Sequence, residues 1–300
     1  MILPDLAELI ALRGTARDLN LHAHRPVLAR LQGSHRSAQR GRGLEFEEVR
    51  RYTAGDDARN IDWRVTARRG QPHTKLFREE RERPVWIIAD LHSGLYFGSR
   101  LQLKSSLLLR SAALLAWIAE MDGDRLGALI GSDHEPQRIF RPRAREAGVL
   151  PVLEALIEAQ PQSPGAPNPD SLNAALTAIK PLIQAGSLVL VLSDFSGLNK
   201  HSEAALASMS LRCDCRLLWM TDPLESAGLP DGSYRVGVPG SLWWLNGASS
   251  RNTWQEKWQA REHSLNELTK RLNLSLIRLN TPNPVTESLP SLLREPSWKI

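Results

Sequence analysis

Short apolar runs alternate with stretches of helical periodicity along most of this chain. "PVWIIADL" (84–91), "RLGALIGS" (125–132), "SLVLVLSD" (187–194), "CDCRLLWM" (213–220) and "LSLIRL" (274–279) are apolar segments too short for buried helices, and they predict buried strands. Between and after them, Leu101–Glu120, Ala144–Ala159, "LNAALTAIKPLI" (172–183), His201–Leu211 and Thr253–Leu272 read as helices. "YRVGV" and "SLWWLNG" add short extra strands, and the proline-rich "PQSPGAPNPD" (161–170) is a loop whose Asp170 or Ser171 can cap the next helix. Buried strands alternating with helices imply a mainly parallel sheet covered by helices on both faces, an α/β fold. Ahead of it, residues 1–34 place Leu3, Leu6, Leu9, Ile10 and Leu12 on one helical stripe, and Gly33–Gly43 is a small, polar loop. The expected organisation is an N-terminal helix and charged segment (1–83), the α/β domain (84–280) and a proline-punctuated tail (281–300).

The charged segment departs from the rest of the chain. From Arg36 to Arg83 there are 13 Lys or Arg and 9 Asp or Glu, against 24% charged residues overall. A solvated surface does not usually concentrate both signs and then insert Tyr52, Ile61 and Trp63 among them. Within "RRYTAGDDARNIDWRVTARR" (50–69), Gly55 permits a turn, Asp56 or Asp57 can cap a short helix, and Gly70 can end it. "TKLFREERERP" (74–84) alternates like a strand, and is expected to pair antiparallel with 84–89 or to run straight into it. Arginines in this pattern bridge carboxylates bidentately. They would either lock the segment structurally or form a partner-docking surface.

Composition limits the remaining options. The net charge of +5 is spread along the chain and interleaved with acids in the charged block, so nucleic-acid binding is not expected. Cys213 and Cys215 are the only cysteines; they suit a reducing compartment and a buried, reduced pair. The chain does not open on a basic region followed by a long apolar run, and Ser106–Met121 is interrupted by Arg110. A soluble, cytoplasmic protein without membrane insertion is expected. There is no P-loop, no Gly-x-Gly-x-x-Gly after a strand and no Gly-x-Ser-x-Gly elbow. An enzymatic alternative would use Asp90 and Asp194, two aspartates closing apolar strands at the edge where such sheets bind ligands, for metal-dependent hydrolysis or phosphoryl transfer. Trp243, Trp244, Trp254 and Trp258 either pack the C-terminal helix onto the sheet or form an exposed docking patch.

The stretch "GRGLEFEEVRRYTAGDDARNIDWRVTARRGQPHTKLFREERERPVWIIAD" (41–90) resembles the signature of the bacterial domain of unknown function 58 family. The residues that carry the resemblance include Arg50, Tyr52, Gly55, Asp56, Asp57, Arg59, Asp62, Trp63, Arg68, Glu79, Glu80 and Asp90. It implies a von Willebrand factor A-like fold from the first buried strand onward. It also implies a protein–protein interaction module associated with a MoxR-type AAA+ ATPase, and with other von Willebrand A proteins, in assembly or maturation of proteins. In von Willebrand A domains a divalent cation is held by Asp-x-Ser-x-Ser, a Thr from a second loop and a later Asp, because a hard cation takes oxygen ligands. Here the first motif reads Asp90-Leu91-His92-Ser93-Gly94, the second loop offers Asp170 or Ser171, and the third is Ser193-Asp194. His92 and Gly94 stand where the serines belong. The site is degenerate, and no cofactor is expected beyond weak Mg²⁺ or Ca²⁺, or a softer metal recruited by His92.

Overall fold

A computed structural model describes residues 3–19, 21, 44–53, 58–79, 83–133, 136–166, 168–238 and 241–294. The chain divides into two compact units, residues 32–82 and residues 1–31 with 83–300. This grouping differs from the one expected: the N-terminal helices belong to the large unit because their apolar stripe is part of its core. Helices α1 (Leu6–Ala11) and α2 (Arg13–Ala16) bury Leu9, Leu12 and Ala16 in the same cluster as the long helix that follows the first sheet strand. The Gly33–Gly43 loop lies outside the described residues.

Among its described residues the small unit is a two-stranded antiparallel sheet with a short 3₁₀ turn (Ala58–Asn60) and one α-helix. Strand β1 (Leu44–Arg51) pairs antiparallel with β2 (His73–Glu79), with Arg51 opposite His73 and a bulge between Phe46 and Glu48. Helix α3 (Trp63–Arg69) starts at Asp62, whose carboxylate accepts the backbone N–H groups of Arg64 and Val65 at 3.0 and 3.1 Å. It ends at Gly70, which adopts φ 69° and donates its N–H to the Thr66 carbonyl. Two expectations change here. The strand at 73–79 pairs with 44–51 and not with 84–89: "LEFEEVRR" alternates too and offers a local partner. The cap of α3 is Asp62, one residue before the first helical turn, and Ile61 stays outside the helix in a bridge to Thr74. Gly55, Asp56 and Asp57 lie outside the described residues.

The large unit is built on a six-stranded sheet. Its strands are β3 (Pro84–Asp90), β4 (Arg125–Gly131), β5 (Arg138–Ala144), β6 (Leu188–Ser193), β7 (Asp214–Thr221) and β10 (Ser275–Asn280), in the spatial order β10-β7-β6-β3-β4-β5. All neighbours are parallel except β4 and β5. Both edges of β3 are taken, by β4 and β6, which is why β2 has no place beside it. Alternate residues enter opposite layers, as the pleat requires. Val85, Ile87 and Ala89 join α4 (Lys104–Met121), α5 (Glu146–Glu158) and α10 (Val285–Arg294) on one face. Trp86 and Ile88 join α6 (Ser171–Ile179), α7 (Lys200–Ser210) and α9 (Gly247–Leu272) on the other. Between β7 and α9 lie the short helix α8 (Pro223–Ala227) and a separate hairpin of β8 (Ser233–Val238) and β9 (Ser241–Asn246).

In the large unit, three elements run against the sequence reading. The first is β5, "RIFRPRA", an edge strand whose arginines and proline hide its alternation; an edge position tolerates both. The others are α8 and α10. The tail beyond 281 is helical from Val285, with Val285, Leu289 and Leu293 spaced four apart and buried to 2%, 0% and 5% exposure. Pro290 lies inside that helix. Among the described residues no helix is long and apolar enough to cross a membrane.

Candidate functional site

Strands β3, β6 and β7 are neighbours and end at the same edge, so their terminal aspartates converge there. Asp90 closes β3, Asp194 follows β6 and Asp222 follows β7; all three are buried. Buried carboxylates need donors, and each finds a different set.

Asp194 is the most heavily used. Its Oδ2 accepts the Lys104 ammonium at 2.8 Å, and its Oδ1 accepts the Ser196 N–H at 2.9 Å, with His92 Nε2 at 3.4 Å and Arg261 Nη2 at 3.6 Å. Its backbone carbonyl accepts from the Trp219 indole and from Arg261. Burial alone would raise this carboxyl; Lys104, His92 and Arg261 overcome it and hold the group well below the usual carboxylate range. Lys104, the first residue of α4, is 2% exposed and shares its ammonium between Asp194 and Glu225 Oε1, the latter also at 2.8 Å. Burial disfavours its charge, yet the two carboxylates raise its pKa above the ordinary lysine value.

Asp90 has less support. Its Oδ2 accepts the Ser193 hydroxyl at 2.6 Å. Burial raises its pKa, although His92, Ser193 and Ser171 favour the charged form. His92 is buried between the carboxylates: burial lowers its pKa, and Asp194, then Asp90 and Asp133, raise it to a net upward shift. The Ser93 N–H donates to Asp133 Oδ2 at 2.5 Å. The 161–170 loop closes on this turn at Gly165, whose N–H meets the Ser93 carbonyl and where a Cβ would stand 2.4 Å from that of Ser93. Asp222 is tied to the loop before α4 by the Ser99 N–H and hydroxyl at 2.8 and 2.6 Å, and also takes the Thr281 hydroxyl.

The rim thus gathers Asp90, His92, Ser93, Ser171 and Asp194. Asp170 is exposed and makes no side-chain cap bond to α6. Sequence reasoning missed Lys104, Glu225 and Arg261. Lys104 had a signal: it opens a helix apolar on every side, where a polar residue is bound to be buried and in need of a counter-charge. Among the described residues no group of three or more His, Cys, Asp or Glu is arranged to hold a metal ion. On Asp194 the positive charge comes from the chain itself, first from the Lys104 ammonium and also from the Arg261 guanidinium.

In the small unit, Arg50 is half-buried and donates to the Arg51 carbonyl and to Thr53 Oγ1 at 3.1 and 3.0 Å, and the Tyr52 N–H pairs with the Pro72 carbonyl. Asp62 is half-buried, whereas Arg59, Arg68 and Trp63 are exposed, Trp63 to 70%. Glu79 lies in β2, and Glu80 is outside the described residues. Cys213 and Cys215 are buried free thiols, each with its pKa raised by burial. The tryptophans divide: Trp258 packs onto Trp219 at 5.0 Å, Trp254 is half-buried, and Trp243 and Trp244 are exposed.

A mainly parallel sheet with helices on both faces and a charged cluster at its carboxyl edge defines an α/β protein. Residues 48–264 match the family described as "Protein of unknown function DUF58", and the chain belongs to that family. It is 31% identical over 186 residues to the uncharacterized proteins Mb1516 of Mycobacterium bovis and Rv1480 of Mycobacterium tuberculosis, covering 62% of this chain and 58% of theirs. The match therefore spans little more than half the length of those relatives. Among solved structures, an aerotolerance-related membrane protein from Bacteroides fragilis aligns with TM-score 0.42 and 15% identity, over 70% of this chain and 97% of that one. The protein BatB from Bacteroides thetaiotaomicron aligns with TM-score 0.41 and 12% identity, over 70% and 96%.

Proposed function

We propose that this chain is a non-enzymatic protein–protein interaction module of the von Willebrand A-like kind, serving as adaptor or cofactor for a MoxR-type AAA+ ATPase in protein assembly or maturation, and that its rim works without a divalent cation. The observation that carries the reading is the buried Lys104 ammonium, 2.8 Å from both Asp194 and Glu225. In metal-bearing A domains an acidic side chain of the partner completes the cation's shell. Here the fixed positive charge already has two carboxylates and is 2% exposed, so it has no place for a third. Partner contacts then come from the loops around the rim and from the charged segment at 50–83, and their strength falls as salt rises. A catalytic role is disfavoured by the same geometry: Asp194 is locked by its donors, and the two thiols are buried and held protonated.

The test is direct binding of the purified chain to a purified MoxR-type AAA+ ATPase, with and without EDTA, beside calorimetric titrations with Mg²⁺, Ca²⁺, Mn²⁺ and Zn²⁺. Binding that persists in chelator, with no stoichiometric metal uptake, is expected. Tight uptake, or binding abolished by EDTA, would mean that His92 and water have replaced the missing serines.

A further inference from the structure

A groove of about 500 Å³ runs beside the rim, lined by Glu225 of α8, Leu245 of β9 and Thr253, Trp254, Lys257 and Arg261 of α9. Its floor is fixed. Trp258 is stacked on Trp219 with rings 12° apart, the Arg278 guanidinium lies 4.9 Å from the Trp258 ring, and the Trp254 indole N–H is bonded to the Glu225 carbonyl at 2.7 Å. Of the exposed apolar residues of β9, Trp243 shares the strand face of Leu245, and Leu242 and Trp244 lie on the opposite face. Leu242, Trp243 and Trp244 of β9 are 47%, 56% and 73% exposed. A second groove of about 330 Å³, which reaches Phe97, Lys104 and Ser196, shares Glu225, Trp254 and Arg261 with the first. The two grooves adjoin at the three shared residues, between the hairpin and the rim, and together make up the channel.

The charges along this channel are unequally committed. Glu225 is held by Lys104, and Arg261 by the carbonyl and carboxylate of Asp194. Lys257 is exposed and, among the described residues, makes no ion pair. An aromatic channel with one uncommitted cation on its lip is complementary to an apolar side chain followed by a carboxylate. Rigid aromatics of this kind carry most of the energy at protein interfaces. The exposed apolar side chains of the hairpin beside the groove favour a protein over a small molecule as its occupant.

We propose that this channel docks an extended segment of a partner protein, in which an apolar side chain packs against Trp254 and Leu245 and an Asp or Glu a few residues away pairs with Lys257. The proposal rests on the interaction-module reading and names the surface that reading needs.

The experiment selects random peptides displayed on phage against the purified full chain. Affinities of the enriched peptides are then measured by fluorescence polarisation for wild type, Lys257→Glu and Trp254→Ala. Enriched peptides should combine an apolar residue with an Asp or Glu. Lys257→Glu, an exposed change that spares the fold, should weaken them about tenfold, the effect of losing one close charge pair. Trp254→Ala should weaken them about thirtyfold, as at an interface hot spot. The proposal is overturned if no such peptides emerge, if they lack an acidic residue, or if Lys257→Glu binds them as wild type does. Self-association of the chain in light scattering that Lys257→Glu abolishes would also overturn it, since the occupant would then be a second copy. The MoxR-type ATPase is measured in parallel. If it binds wild type and Lys257→Glu equally, the ATPase docks elsewhere, the adaptor reading stands, and the peptides alone decide the channel. If it does not bind wild type, the adaptor reading fails, and the peptides still decide the channel.

Discussion

Lys104 keeps its charge in the interior only because Asp194 and Glu225 face it at 2.8 Å. Removing one partner of such a pair leaves the other uncompensated, which costs more than the pair itself contributes. Lys104→Met is therefore expected to lower unfolding stability by about 3–5 kcal/mol in urea titrations. Adding Asp194→Asn to that variant should restore part of the loss, because the unpaired charge disappears with it. Strictly additive losses would show that the ammonium and the carboxylate are not coupled. Lys104 and Asp194 are 90 positions apart in the chain, so neither residue's neighbours announced the pair.

Elements show the same division between local and distant causes. The cap of α3 is local: Asp62 precedes the first turn and satisfies two of its free N–H groups. Asp62→Ala should cost about 1 kcal/mol, with Asp62→Asn close to wild type, in thermal or urea unfolding. A loss several times larger would place Asp62 in a buried ion network as well. The C-terminal helix depends on distant packing. Leu289 is fully buried in the core formed with α4, and Leu289→Ala should cost about 2–5 kcal/mol. A near-neutral result would mean that α10 is dispensable to the core. Proline at 290 argued locally against a helix, and the buried stripe of Val285, Leu289 and Leu293 outweighed it.

At the scale of the whole molecule, three buried carboxylates tie the sheet together and set its response to acid. Asp214 is raised by burial and then brought below the ordinary value by Arg216 and Arg83. Asp222 is likewise raised by burial and brought below the ordinary value by the Ser99 and Thr281 hydroxyls, and Asp194 is held well below it, chiefly by Lys104. A carboxyl depressed by folding binds its proton more readily in the unfolded chain. Its stabilisation is complete above the ordinary value of 3.8 and is lost as pH falls below that through the folded value. Circular dichroism against pH should therefore show a steep loss of structure below 3.8, and Asp214→Asn should make that loss shallower while lowering stability at neutral pH. An unchanged profile would exclude Asp214 as a contributor.

The sequence by itself determined the α/β class, five of the six sheet strands and the two aspartates at the carboxyl edge. Buried strands declare themselves as apolar runs, and an Asp that ends one has few other places to go. The Gly70 end of α3 and the buried thiols were similarly readable, since each depends on a few adjacent residues, whereas the start of α3 was misplaced: Asp62 caps it, not Asp56 or Asp57. Only the tertiary structure decided the strand partners. Alternation in 44–51 and 73–79 shows which side chains share a face but does not say which edge is free, and β3 had none to offer. Only the fold joined Lys104, Glu225 and Arg261 to Asp194. It also separated Trp258, which packs, from Trp243 and Trp244, which do not. Charge pairing and burial act between groups close in space, and distance along the chain does not report that closeness.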